Sequence, residues 1–168
     1  MTRSAGPTAA GSRLPSLIVR RLLPPDGPAK ADVWIQGVSV GEVELAHTLA
    51  TALRAARPDL PLLVTSSTPA GVALLERRFG GFPPPTRLQP FPLDLPVSVR
   101  RLLDSAGPRL LVLMETELWP VLLRAARRRG IPVLVANARL SERSVRRLRA
   151  ARGLFRGALA AIAAVAAR

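Results

Sequence analysis

The 168-residue chain has no cysteine and no tyrosine, one histidine (His47) and one lysine (Lys30). Without cysteine there is no disulfide scaffold, no thiolate metal site and no thiol nucleophile. A single histidine leaves no zinc site of the usual kind, so neither a metal nor another cofactor is expected. Long apolar runs are lacking as well. The longest, Ala158–Ala167, is ten residues and mostly alanine, well short of the ~20 residues that span a bilayer. Pro7, Gly11, Ser12 and Arg13 interrupt any apolar signal-peptide core near the N-terminus. These absences lead to the expectation of a soluble, cytoplasmic protein.

What is present points to a packed domain. Hydrophobic residues make up 48% of the chain, too many for a disordered basic tail, and the length suits one domain. The formal net charge is +14, almost all of it from arginine. Residues 121–168 hold twelve arginines against one acid, Glu142, and so carry +11 of that charge. A surface this basic favours polyanionic partners such as nucleic acid, phosphorylated lipid or an anionic membrane face. A solvated helical face that keeps the protein soluble explains the charge equally well.

Residues 1–30 are rich in Pro, Gly and Ser and read as a loose basic leader. Within it, Leu14–Leu23 has the spacing of a short amphipathic helix. From residue 31 a regular alternation begins. Apolar runs at Val33–Val40, Leu60–Ser67, Thr86–Phe91, Arg109–Met114 and Ile131–Ala138 predict strands. Helices are predicted between them at Glu42–Arg57, Pro69–Phe79, Pro96–Ser105, Trp119–Arg129 and Ser141–Ala151, with a sixth strand over Ala160–Ala166. Continuous apolar strands separated by amphipathic helices imply an α/β fold, a Rossmann-like doubly wound parallel sheet covered on both faces.

Ligands of such sheets bind beyond the carboxyl ends of the strands. The first strand–helix turn carries no G-x-G-x-x-G and the chain has no P-loop, so a dinucleotide is poorly supported. Instead the turn reads Ser39-Val40-Gly41-Glu42. Gly41 suits a sharp turn and close substrate approach. Glu42, held ionised at a helix start, has the chemistry of a general base; stabilising the helix start, as acidic residues there often do, is the plainer account of it. Thr65-Ser66-Ser67-Thr68 precedes Pro69. Thr68 is placed as an N-cap, and the surplus hydroxyls suit a phosphate or a sugar. Asp94 follows the third strand. After the fourth come Glu115, nearest the strand end, and Glu117, placed to cap the Trp119 helix; either is also explained as a surface acid. Asn137, or Ser141 with Ser144, is placed to cap the last helix, and Arg139 stands where a ligand phosphate or carboxylate would be met. His47 lies inside a helix and is given no role.

Five segments, taken in order, carry a resemblance. They are Val33-Trp34-Ile35-Gln36-Gly37-Val38-Ser39-Val40-Gly41-Glu42, the Thr/Ser–Pro turn through Gly71, Pro92-Leu93-Asp94, Glu115-Thr116-Glu117-Leu118-Trp119-Pro120, and Asn137-Ala138-Arg139-Leu140-Ser141. Together they resemble the 3-deoxy-D-manno-octulosonic acid (Kdo) transferases, over roughly residues 31–168. The resemblance implies the N-terminal half of an inverting glycosyltransferase of the GT-B class, in which two Rossmann-like domains face a cleft. Kdo would pass from CMP-Kdo to the lipid A precursor, peripherally at the cytoplasmic face of the bacterial inner membrane. Glu42 would be the general base and Glu115 a second catalytic acid. Ser39, Gly41, Ser67, Thr68, Asp94, Glu117 and Arg139 would form the acceptor side. The family's chain is much longer, and its C-terminal domain, which holds most of the CMP-Kdo site, is expected to lie outside this sequence. The apolar anchor helix of many members is not seen either; Leu14–Leu23 suits at most a membrane surface.

Two other classes compete. One is a non-catalytic basic module that binds anionic lipid. The other is nucleic-acid binding, opposed by the single aromatic residue, Phe155, within residues 121–168; no nucleic-acid partner is expected.

Overall fold

Runs rich in Val, Leu and Ile favour extended backbone and, when apolar on both faces, demand cover on both sides. In the computed structural model they form β1 (Val33–Gly37), β2 (Leu62–Ser66), β3 (Thr86–Pro90), β4 (Leu110–Met114), β5 (Val133–Ala138) and β6 (Ile162–Ala167). The structure describes residues 13–24, 30–139, 145, 146, 149, 150 and 152–167. All six strands are parallel, in the order β3-β2-β1-β4-β5-β6. Among the described residues the helices include α1 (Arg13–Leu22), α2 (Val40–Ala56), α3 (Pro69–Phe79), α4 (Pro96–Ala106), α5 (Pro120–Arg128) and a short α6 (Arg152–Phe155). The Rossmann-like doubly wound sheet expected from the alternation is thus the fold.

Side-chain alternation divides the core in two. Val33, Ile35, Leu62, Val64, Val112 and Met114 pack against α2 and α3 through Val43, Ala46, Leu74, Leu75 and Phe79. Trp34, Leu63, Leu111, Leu113 and Val133 pack on the other face against α4 and α5 through Val99, Leu102, Leu122 and Leu123. His47 sits edge-on to Phe79 and Phe82, with ring centroids 5.0 and 5.7 Å away, as a packing residue.

Element boundaries moved where caps act. β1 stops at Gly37 and not at Val40, because Ser39 turns the chain as the N-cap of α2, which starts at Val40. Pro96 and Pro120 open α4 and α5 in their first turns, where a missing N–H costs nothing. The amphipathic segment expected at Leu14–Leu23 is α1, and the sixth strand is β6. The Ser141–Ala151 helix lies largely outside the described residues, as do Ser141, Ser144 and residues 1–12 and 25–29 of the leader.

The amino edge of the sheet is tied by one arginine. Arg54, near the end of α2, is 7% exposed. Its guanidinium donates to the carbonyls of Pro58, Pro83 (3.1 Å), Pro84 (3.3 Å) and Pro85 (3.1 Å) and to the Thr86 hydroxyl (2.9 Å). A proline run donates nothing and leaves its carbonyls in need of donors, and a planar guanidinium fork supplies several at once. Arg54→Ala is therefore expected to lower unfolding free energy by about 1–2 kcal/mol, because the loop loses the buried guanidinium that ties these oxygens together, while water can reach most of them. Guanidinium denaturation would read this, and a loss under about 0.5 kcal/mol, the range of an ordinary surface substitution, would show that the loop does not depend on Arg54.

Candidate active site at the junction of β1 and β4

β1 and β4 are neighbours in the sheet, yet β1 leads into α2 on one face and β4 into α5 on the other. The strand order reverses there and opens a crevice at the carboxyl edge, the usual ligand position in such folds.

On the β1 side, Ser39 and Glu42 form a capping box. The Ser39 hydroxyl accepts from the Glu42 amide at 3.3 Å, and the Glu42 carboxylate accepts from the amides of Val38 (2.9 Å) and Ser39 (3.2 Å). Glu42 is 5% exposed, so it serves the helix start and at the same time lies fixed beside the crevice. Ser39 and Gly41 are exposed. The tight turn expected of Gly41 falls elsewhere: Gly41 has ordinary helical surroundings, and a Cβ there would meet only the Ser39 hydroxyl, at 3.9 Å. Gly37 takes that role, since a Cβ on it would lie 3.0–3.2 Å from the backbone and Cβ of Glu42.

On the β2 side the four hydroxyls are all engaged within the protein. Thr65 accepts from the Trp34 indole (2.8 Å) and donates to the Gln36 carboxamide, whose NH2 reaches the Ser67 hydroxyl at 3.0 Å. Ser66 and Thr68 both donate to the Val38 carbonyl, at 3.1 and 3.0 Å. Thr68 also caps α3 by accepting from the Gly71 amide at 3.0 Å, as its position before Pro69 implied. The surplus of hydroxyls is therefore used to hold the turn. Gly71 is required there, because a Cβ would stand 2.2 Å from the Ser66 hydroxyl and 2.9 Å from the Val38 carbonyl.

On the β4 side the backbone itself is unusual. Glu115 has φ 57°, and Asn137, at the matching end of β5, has φ 55°. The left-handed region is easy for Asn but costs a glutamate on the order of 1 kcal/mol, which the surrounding contacts must offset. Thr116 joins these two strand ends, its hydroxyl donating to the Arg139 carbonyl and accepting from the Arg139 amide at 3.1 Å. The Arg139 side chain is exposed. The cap of α5 also differs from expectation. Glu117 does not provide it; the Asp94 carboxylate arrives from the loop after β3 and accepts from the amides of Val121 (3.0 Å) and Leu122 (2.8 Å). Burial raises the Asp94 pKa above its usual value, opposed by those two donors and by Arg124.

Glu42, Glu115 and Glu117 share one neighbourhood. The Glu117 carboxyl is raised above the ordinary carboxylate value, first by withdrawal from solvent and then by the charges of Glu42 and Glu115. Among the described residues no three acidic or imidazole side chains gather closely enough to hold a metal ion. The grouping therefore offers proton acceptors and hydrogen-bond acceptors for hydroxyls.

Sequence reasoning passed over several residues that build this edge. Ser39-x-x-Glu42 is itself the capping-box signature and was legible as one. Gly37 and Gly71 were marked only as parts of motifs, and Thr116 carried no local signal.

The fold and this edge define a doubly wound α/β domain with an acid-lined crevice at its switch point. The chain belongs to the Kdo transferase family: the family model described as 3-deoxy-D-manno-octulosonic-acid transferase (kdotransferase), which represents the N-terminal region, matches residues 13–168. It is 42% identical over 121 residues to the 3-deoxy-D-manno-octulosonic acid transferase of Bordetella pertussis, covering 71% of this chain and 28% of that protein. The Haemophilus influenzae transferase is 40% identical over 120 residues, covering 71% and 27%. A probable mitochondrial counterpart of Arabidopsis thaliana is 32% identical over 121 residues, covering 71% and 26%. The chain thus spans little more than a quarter of the length of these curated relatives.

The raised Glu117 pKa has a consequence for stability. A carboxyl whose folded pKa exceeds its unfolded value adds stability below the unfolded value and loses it as pH rises through the folded one. Glu117→Gln is accordingly expected to be as stable as the parent or more so near neutral pH, by less than about 1 kcal/mol because solvent screens a partly exposed group. That gain should vanish as pH falls below the ordinary glutamate range. Denaturation curves at about pH 4 and pH 7 test it; a variant less stable than the parent at neutral pH would contradict the like-charge crowding.

Proposed function

We propose that the complete protein is an inverting GT-B glycosyltransferase that moves Kdo from CMP-Kdo to a hydroxyl of the lipid A precursor. This chain supplies the acceptor-side wall of the cleft and the general base, and a second, C-terminal domain supplies the donor site. The observation that supports this most is the placement of Glu42 and Glu115 beyond the ends of two neighbouring strands, both near enough to act on the Glu117 carboxyl, within a family whose relatives bear that transferase name.

In this reading the carboxylate of Glu42, oriented by the Val38 and Ser39 amides, keeps lone pairs for an acceptor hydroxyl. As that oxygen bonds to the anomeric carbon of Kdo from the face opposite CMP, its proton passes to Glu42 and the bond to the CMP phosphate breaks. Glu115, held in a left-handed conformation, orients the reacting sugar. Ser39, Gly41, Glu117 and Arg139 are the acceptor contacts, while Ser67, Thr68 and Asp94 hold the turns that place them. No metal or organic cofactor takes part in this scheme. The enzyme works peripherally at the cytoplasmic face of the inner membrane, where its acceptor is anchored. Among the described residues no helix is long and apolar enough to cross a membrane.

Glu42→Gln removes the proton acceptor and keeps one of the two backbone contacts, because the amide oxygen still accepts from either Val38 or Ser39 while the NH2 group faces the other N–H. In the complete protein, with CMP-Kdo and lipid A precursor, turnover should fall about 10²–10⁴-fold, while the lost cap contact lowers stability by about 1 kcal/mol and leaves the protein folded at the assay temperature. Turnover near that of the parent would remove Glu42 as the base.

A further inference from the structure

We infer that the groove between α4 and α5 is a binding site for the phosphate headgroup of an anionic bilayer lipid, distinct from the carboxylate edge. The groove has a volume of about 470 Å³ and is lined by Arg100, Arg124, Arg128 and Arg129 together with the apolar side chains of Val97 and Val121. Two of its arginines are occupied. Arg129 pairs with Asp104 at 2.6 Å, and Arg124 donates to the Leu154 carbonyl at 2.9 Å. Arg100 and Arg128 have neither a hydrogen bond nor an ion pair among the described residues. Cations converging on a concave wall with so few acids nearby raise a strong positive potential, and guanidinium forks match phosphate oxygens.

The flank of the groove selects a lipid over other anions. α1 packs beside α4, where the Ser98 hydroxyl donates to the Leu22 carbonyl at 2.7 Å and Arg101 to the Pro24 carbonyl at 2.9 Å. The pair exposes an apolar ledge of Ile18 (57%), Val19 (57%), Leu23 (51%), Leu95 (46%) and Val97 (52%). Val97 belongs both to the groove lining and to this exposed aliphatic set, so apolar surface adjoins the unpaired arginines and fits a headgroup with its acyl boundary. RNA would lack stacking partners, since none of the described aromatic side chains is exposed. The proposal rests on the reading that the enzyme works at a membrane, and goes beyond it by naming the groove and the headgroup.

The test is binding of the full-length protein to phosphatidylcholine vesicles with or without about 20% phosphatidylglycerol at near-physiological salt. Arg100→Gln/Arg128→Gln is compared with Arg57→Gln/Arg77→Gln, which removes the same charge from exposed positions just after α2 and on α3. The groove variant should bind anionic vesicles about thirty-fold more weakly, roughly five-fold per arginine, and the control less than about three-fold. Equal losses in the two variants, or none in the groove variant, would overturn the groove while leaving membrane binding intact. A parent protein that ignores anionic vesicles would overturn the membrane reading as well. Inorganic phosphate at constant ionic strength should leave binding unchanged; displacement by millimolar phosphate would make this a free-phosphate site and overturn the lipid assignment.

Discussion

The backbone of Val38 is the joint on which the carboxyl edge depends. Its amide donates to the Glu42 carboxylate, and its carbonyl receives the hydroxyls of Ser66 and Thr68. One residue thereby ties β1, α2 and the β2–α3 turn together, and it leaves no buried polar group of its own unpaired. Gly37 and Gly71 are the steric condition for that joint. A side chain at either position would occupy space already taken by Glu42, Ser66 or the Val38 carbonyl itself.

The far side of the crevice is assembled over longer sequence distances. Asp94 caps α5 from the β3–α4 loop, and Thr116 holds the backbone of Arg139. Leu93 in turn donates to the carbonyl of Arg21, at the end of α1. A displacement of α1 would thus be felt at Asp94 and at the start of α5. The apolar ledge and the carboxylate edge are connected through a few backbone contacts rather than through the core.

Much of this architecture was legible because periodicity and punctuation are local. Buried runs flanked by Pro, Gly and hydroxyl residues marked each strand, with ends displaced by up to three residues, and the starts of α3, α4 and α5 to within one residue. The placement of Glu42 and Glu115 at strand ends was legible for the same reason. The misassigned cap of α5 has a different origin. Glu117 is three residues before Pro120, but the donors of that helix are met by Asp94, 27 residues before Val121, and no local pattern announces a cap supplied from another loop. The hydroxyl run misled in the opposite direction: four adjacent acceptors look like surplus until Trp34, Gln36 and Val38 are folded against them.

The sequence by itself determined the alternation of strands and helices, the two-faced core and the chemistry available at each strand end. These follow from side-chain polarity and spacing along a single segment. Tertiary structure decided which of those groups meet. It set β1 beside β4, so that Glu42 and Glu115 both act on Glu117, and it turned Thr65, Ser66, Ser67 and Thr68 inward. It also laid α4 against α5 so that arginines distant in sequence share one groove. The physical reason is that proton affinity, hydrogen-bond satisfaction and surface potential depend on distance in space, which the fold sets and the order of residues does not.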